Sequence, residues 1–565
     1  MNQLSRYSKT AALISLLLLI SACEEFLDRP TEDNYTIDSF YQTDEQCFQA
    51  ANVLYNAPWY DFQRGFMWIG DVLPGNLYFG TDNVYQNFNL TSSNEDLTNA
   101  ANSLWLVNGH CNAVIENIRN KAGGGVSETT KNTVTGEAMV WKAMAYFYLV
   151  RIWGAIPIIH SNSAIIGAGT ATQLKKNRVG DVYEYIVKTL TKAIELLPEQ
   201  NQQGRVSKTA AYGLLAKVYL TRSGLGQNGT RNQEDLDKAK EYAAKVIDES
   251  GLELEPIYSD LFRISTGNFN PENLLSWRWI ASDQWTSQNS LQSDLALNGF
   301  TGLNDSWGTW RGPTIDLQTA FNEDARESRN NRDARRKATM MMKDDFYPYF
   351  WRHKGGFTAT WDDTNVAGAT FGIGTGANCV KHIVGHYDGD HKAESGSPSR
   401  NMATDLATHV LRLSDVYLIY AEAILGNGAS TSDPNALRVF NAVRSRSIST
   451  HENVSSITFE DIFRERRLEL ALEGDNWYDF VRLHYYNPSL AKQWLNAQER
   501  GSYNSLQGFY DGEVTKSEVT IASFKVNITD DSKFQLPFPE VDLAMNPNLR
   551  DDVDPEPFDF STLEY

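Results

Sequence analysis

Apolar residues recur every three, four or seven positions over much of the chain, the pattern of helices with one buried face. Residues 94–121 show it through Leu97, Leu104, Val107, Cys111, Val114 and Ile118. Residues 137–153 put Ala143, Phe147 and Val150 on one side, and Gly154 with Pro157 ends the helix. Residues 44–55 form a shorter candidate, and 182–197 another that stops at Pro198. Residues 207–222 open with Ser207 at the N-cap position, and 233–250 end at Gly251. The pattern returns late in the chain, over 411–425 and 433–446.

The pair 207–222 and 233–250 carries Ala210, Ala216, Ala239 and Ala243 where two helices would touch. Small residues there let helices approach closely, and the pair resembles a tetratricopeptide unit. The pair 411–425 and 433–446 repeats the arrangement imperfectly, and 137–198 forms a third with a long insert. The expected fold is therefore mainly α: a tetratricopeptide-like helical-repeat scaffold with a loop-rich insertion carrying short β-strands. The scaffold occupies mainly 40–250 and 408–487. Between them, 252–407 loses the helical period and fills with Gly, Asn, Asp, Ser and Trp. Short apolar runs at 274–280 and 380–384 read as strands. Residues 488–565 are mixed and loop-rich. A long irregular stretch on a regular frame is where function is expected.

The first residues carry an address. Arg6 and Lys9 precede an apolar run over 11–22, shorter than the about 20 residues a membrane span needs. It ends Ile20-Ser21-Ala22-Cys23, which resembles a lipoprotein processing site. Residues 1–22 are thus expected to be removed and Cys23 to carry lipid, leaving 23–565 as a single domain. Cys47, Cys111 and Cys379 then remain, too few for a disulfide scaffold and without zinc spacing. The formal net charge of −20 argues against binding to a phosphate backbone.

Aromatic residues reach 12% of the chain, and seven of the 14 Trp fall between 277 and 361: Trp277, Trp279, Trp285, Trp307, Trp310, Trp351 and Trp361. Gly, Asn, Asp, Ser and Arg surround them rather than Leu, Ile and Val. Flat C–H faces of sugars stack on such rings, and sugar hydroxyls need amide, carboxylate or guanidinium partners. Some of these rings must plug the insertion's own core, and at least one of Trp277 and Trp279 belongs there. Trp285, Trp307 and Trp310 are the surface candidates, with Arg311 beside them as a local positive charge. Trp105, Trp141, Trp153 and Trp477 sit at periodic helical positions and read as core.

Three other patterns invite chemistry and yield to plainer readings. Glu469 and Glu473, four apart, would suit a glycosidase pair, but Arg464, Arg466 and Arg467 are near enough for helical ion pairs. Gly372-x-Gly374-x-x-Ala377 lacks the βαβ unit of a dinucleotide site and reads as a loop. His382, His386, Asp388, Asp390 and His391 read as a strand and a solvated turn, with a bound cation as the alternative. No catalytic residue, metal ligand or cofactor is assigned.

Several blocks, in order, identify a resemblance. Phe26-Leu27-Asp28 follows the processing site. Gly136-Glu137-Ala138 leads to Tyr146-Phe147 and Gly154-Ala155-Ile156-Pro157. Arg205-Val206-Ser207-Lys208 precedes Leu215-Ala216-Lys217-Val218-Tyr219-Leu220. Leu411-Arg412-Leu413-Ser414-Asp415 opens a helix that is followed by Asn441-x-Val443-Arg444-x-Arg446. Glu465-Arg466-Arg467-Leu468-Glu469-Leu470 runs to Glu473-Gly474-Asp475-Asn476-Trp477-Tyr478-Asp479, and Leu536-Pro537-Phe538-Pro539 precedes Asn546-Pro547. Over nearly its whole length the chain resembles the SusD/RagB-type nutrient-binding outer-membrane lipoproteins of Bacteroidetes.

The resemblance implies a non-catalytic protein, anchored through Cys23 and facing the cell exterior. It would capture oligosaccharides or polysaccharides and pass them to a SusC-like TonB-dependent outer-membrane transporter. Glu24 and Glu25 resemble the acidic export signal of such lipoproteins. In resembling proteins an early loop also touches ligand, which adds Asn83 and Tyr85 to the candidates. Two rival readings are a surface-anchored glycoside hydrolase and a helical-repeat adaptor that binds only proteins.

Overall fold

The computed structural model describes residues 40–281, 284–360, 374–563 and 565. Cys23, Trp361, Gly372 and the leader lie outside them. The frame is a run of helices: α1 (Asp44–Asn52), α2 (Phe62–Met67), α3 (Glu95–Lys121), α4 (Glu128–Trp153), α5 (Val179–Leu196), α6 (Lys208–Arg222) and α7 (Gln233–Ala244). It resumes with α8 (Leu413–Leu425), α9 (Pro434–Ser447), α10 (Phe459–Glu469) and α11 (Asn476–Tyr486). From α3 to α9 each helix packs on the next, and α7 packs directly on α8 across the whole insertion. This is the tetratricopeptide-like stack expected. Ala210, Ala216, Ala239 and Ala243 are all buried.

Helix boundaries differ from the periodic reading where a helix is buried all round. α4 begins at Glu128, capped by Ser127, because almost every residue after Val134 is buried and no polar stripe marks a face. Gly136 lies inside it: a Cβ there would stand 2.7 Å from Leu197, so glycine lets α5 approach. Trp141, Trp153 and Trp477 are core, and Trp105 is half-buried.

Among the described residues the strands form only two-stranded ladders. Two join distant parts of the chain. β1 (Leu77–Tyr78) pairs antiparallel with β3 (Gly312–Pro313), joining the early loop to the insertion. β2 (Asn273–Trp277) pairs with β4 (Thr408–Arg412), closing the insertion at its base. The strand expected at 380–384 is instead Ala377–Cys379, paired with Met340–Met342. Chain beyond Cys379 turns away because His382 adopts φ +71° and its Nε2 meets the Leu472 carbonyl at 2.6 Å. The C-terminal segment closes on α4: Leu536 N donates to Ile152 O, and the Trp153 indole donates to Pro537 O and stacks on Phe538.

The insertion is held to the frame by charge. Arg412, at the end of β4, donates to Glu272, Glu469 and Glu473. Arg446 of α9 binds Glu272 and Glu469, Arg335 binds Glu465 and Glu469, and Lys381 binds Glu473 at 2.7 Å. These side chains are all nearly or wholly buried. A second hub joins Arg466 to Asp415, Asp475 and Asp479, and Arg482 to Asp479 and Glu422.

Burial pushes the Glu473 carboxyl up, but Arg412 and Lys381 outweigh it and hold the pKa at about 2. The pKa is depressed on folding, so this stability is present above the free carboxylate value and lost as pH falls from about 4.5 toward 2. In urea unfolding followed over that range, wild type should weaken steeply. Glu473→Gln, which leaves two buried cations short of a partner, should cost about 3–5 kcal/mol at neutral pH and show a shallower acid slope.

Candidate functional site

The tryptophans of the insertion divide by strand position and by partner. Trp277 of β2 stacks on Trp59 at 5.0 Å, and Trp59 meets Trp141 edge-on. The Trp279 indole donates to Thr408 Oγ1 at 2.9 Å. Trp351 is buried against His386. These three rings make core. Trp285 is 51% exposed, Trp310 is 67% exposed and Trp307 is half-buried. The surface candidates therefore face outward or partly so, as the polar residues around them implied.

One carboxylate organises that surface. Asp294, in the short helix Leu291–Leu295, is 2% exposed. Its Oδ1 accepts from Trp307 Nε1 at 2.8 Å and from Arg311 Nη1 at 2.8 Å. Its Oδ2 accepts from Arg64 Nε of α2 at 2.9 Å. Asp96, at the start of α3, accepts the Trp68 indole at 3.0 Å and lies 3.9 Å from Arg64. The Arg311 guanidinium sits over the rings of Trp68 and Phe79. Tyr60 meets Trp285 edge-on at 6.1 Å and extends the surface to the other side.

Backbone geometry sets these residues in place. Gly308 donates its N–H to Ala296 O, and a Cβ at this position would stand 2.3 Å from the Leu295 carbonyl carbon. Only glycine lets the Trp307–Trp310 turn lie so close to the Asp294 helix. The β1–β3 ladder then brings Tyr78 opposite Gly312, next to Arg311. Two regions more than two hundred residues apart in sequence thus become one face.

Asn83 and Tyr85 do not join that face as expected. Tyr85 is 2% exposed, and its hydroxyl donates to Asn94 Oδ1, the cap of α3. Burial raises its pKa further above the usual phenol value. Asn83 is half-buried, and its Oδ1 accepts from the backbone N–H of Tyr85 and Gln86. Both side chains shape the loop. The residue from this loop that borders Arg311 is Phe79. Arg64, Tyr60, Phe79 and Asp294 had no sequence signal: Arg64 and Asp294 pair across 230 positions.

The other polar clusters are structural. Glu469 and Glu473 are saturated by Arg335, Arg412, Arg446 and Lys381, not by the neighbouring arginines expected. The reason is that α10 ends at Glu469, so the two carboxylates do not share a helical face. Arg466 and Arg467 point to Asp415, Asp475, Asp479 and Asp316 instead. Burial lowers the His382 pKa to about 4. Asp390 accepts from the backbone N–H of Trp351, Arg352 and His386, and His386 Nδ1 accepts from Gly389 N. Residues 387–391 form a helical turn rather than a solvated loop. No cluster of three or more metal-ligating side chains occurs among the described residues.

The arrangement offers flat rings beside two guanidinium groups whose position a shared carboxylate fixes. Rings supply stacking area, and N–H groups not used on Asp294 remain for acceptor oxygens. Such an arrangement suits a polar, flat ligand.

Comparison with known proteins agrees in extent and kind. A family model described as "SusD family" matches residues 270–552, and one described as "Starch-binding associating with outer membrane" matches residues 25–220. A SusD-like protein of Bacteroides ovatus is 35% identical, covering 98% of this chain and 99% of its own. SusD-like protein P2 of Formosa agariphila is 28% identical over 66% of this chain and 69% of its own. A crystal structure described as being with xylogluco-oligosaccharide is 33% identical, with a TM-score of 0.77, over 91% of this chain and 99% of that one. A laminarin-binding SusD-like protein shares the fold, at 20% identity and a TM-score of 0.63 over 90% of this chain and 98% of its own.

Asp294→Ala tests the hub. It releases Trp307, Arg311 and Arg64 together, so a stability loss of about 1–3 kcal/mol in urea unfolding and a changed near-ultraviolet dichroism signal are expected. Tyr85→Phe should also destabilise, by about 1 kcal/mol, through the lost hydrogen bond to the α3 cap.

Proposed function

The chain belongs to the SusD family, and on that premise we propose that it is a glycan-binding lipoprotein of the outer membrane. It holds oligosaccharide on the Asp294-centred platform and performs no chemistry on it. Trp285, Trp307 and Trp310 supply stacking faces, and Arg64 and Arg311 supply hydrogen-bond donors to ring and hydroxyl oxygens. The observation that carries this reading is the convergence of Trp307, Arg311 and Arg64 on one buried carboxylate beside exposed rings. It preorganises donors that would otherwise lose rotamer freedom on binding.

The relative described with xylogluco-oligosaccharide supports a glucan-type ligand, and xyloglucan fragments are the first to try. Carboxylates saturated by arginine and lysine support a binding role over hydrolysis. Cys23 is proposed as the lipid attachment point. No helix among the described residues is long and apolar enough to cross a membrane. Delivery to a SusC-like TonB-dependent transporter completes the proposal. It is tested by co-purifying this protein with the transporter from native membranes.

The binding test uses protein from residue 24 onward in native gels containing a panel of polysaccharides. Retardation by one polymer is expected, with a loss of about tenfold or more in affinity for Trp307→Ala/Trp310→Ala, since each stacking ring contributes about 1–3 kcal/mol by analogy with other ring-stacked ligands. Retardation that persists unchanged in the double variant would remove the platform from the proposal. Reducing sugar released by the wild type would overturn the non-catalytic role.

A further inference from the structure

A second cleft opens beside β2, away from Asp294. Its volume is about 640 Å³, and it lies between the loop 199–206 and the turn at Phe269–Pro271. Phe269 is 56% exposed at the rim of the cleft. The Arg278 guanidinium lies 4.8 Å from the centre of that ring. Arg278 follows the end of β2 between Trp277 and Trp279, which both go to the core, and is itself half-buried. Its backbone N–H is tied to Tyr55 O at 2.8 Å, which fixes its root.

What sets Arg278 apart is its lack of partners. Among the described residues its guanidinium makes no ion pair and no hydrogen bond. Nε and Nη1 are enclosed yet unsatisfied. Burial without a counter-charge pushes its pKa down to about 10. The other arginine of the cleft is used: Arg205 binds Glu137 at 2.6 and 2.8 Å, and Glu199, which also lines the cleft, is paired by Lys208 at 2.8 Å. Glu249 also lines the cleft, without an ion pair among the described residues. An unpaired guanidinium is a costly thing to keep in a chain with 71 acidic residues available to neutralise it. Arg311, the other arginine near exposed rings, is by contrast already neutralised by Asp294.

We infer that this cleft is a second ligand site, selective for an acidic sugar residue. The anionic group, a carboxylate or a sulfate ester, accepts hydrogen bonds from Arg278. The apolar face of the sugar ring lies on Phe269, and the amides of Gln202 and Gln203 border the remaining hydroxyls. A guanidinium suits such planar or tetrahedral oxyanions. The inference rests on the glycan-binding reading only in taking the ring to be a sugar. It does not depend on the Asp294 platform.

Isothermal titration of the chain from residue 24 tests it with three probes: a uronic-acid oligosaccharide, a sulfated oligosaccharide and a neutral oligosaccharide of matched length. At least one acidic probe should bind wild type, and binding should weaken as salt rises. Arg278→Gln and Phe269→Ala should each lower that affinity about tenfold or more, the size expected for a lost charged hydrogen bond or a lost stacking ring. Trp307→Ala/Trp310→Ala should leave it unchanged. A preference for the uronate or the sulfate identifies the oxyanion, and either supports the site. Arg278→Lys, which keeps the charge, guards against a folding defect in Arg278→Gln, and thermal unfolding is measured for each variant. Acidic probes that fail to bind wild type, or bind Arg278→Gln as well as wild type, overturn the inference. Loss of neutral-sugar binding in the Trp double variant reports on the platform alone.

Discussion

Charges taken out of water must be paired in the interior, and the architecture follows from where those pairs are made. Arg412 ends β4 and donates to Glu272, Glu469 and Glu473, while Arg335, Arg446 and Lys381 complete the same set. Glu272, Arg335 and Lys381 belong to the insertion; Arg446, Glu469 and Glu473 belong to the late part of the frame. None of these groups can be left alone without exposing the others to an uncompensated charge. The hub therefore specifies how the irregular insertion seats on regular helices, a task that apolar packing alone leaves loosely defined.

The surface around Asp294 uses the same device nearer the solvent. Asp294 is nearly buried, but its partners are not: Arg64 and Arg311 keep part of their guanidinium surface in water. A carboxylate shared between two arginines and an indole holds each in one orientation, at the edge of a surface with exposed rings. The interior hub saturates its acids and removes them from chemistry. The surface hub saturates its acid and leaves donors over. Arg278 is the third situation, a guanidinium that meets no acid among the described residues, and the difference in pairing separates the frame, the Asp294 surface and the cleft.

How much was legible depended on the range of the interaction. Helices α3, α5, α7 and α9 followed from local periodicity, since one face of each is apolar, and α6 and α8 from the same spacing although most of their residues are buried. α4 was shortened because it is buried all round and its first turns carry no stripe. Within the Trp-rich insertion, Trp285 and Trp310 are exposed, and Trp307 and Arg311 meet on Asp294. Tyr85 misled because an aromatic in a polar loop resembles an exposed ligand contact, whereas its hydroxyl finds the cap of α3 nine residues on. Glu469 and Glu473 misled in their partners, though not in being charge-paired, because helix termination at Glu469 breaks the spacing.

By itself the sequence determined the helical frame, the ordered blocks of the SusD family and a segment where rings and polar groups concentrate, all written within a few turns of chain. Only the tertiary structure decided which rings face solvent, that Arg64 meets Asp294, that the early loop lies beside Arg311 through β1 and β3, and that Arg278 meets no counter-charge among the described residues. Those outcomes depend on residues brought together across hundreds of positions by an insertion without regular period. No local rule relates their spacing along the chain to their distance in space.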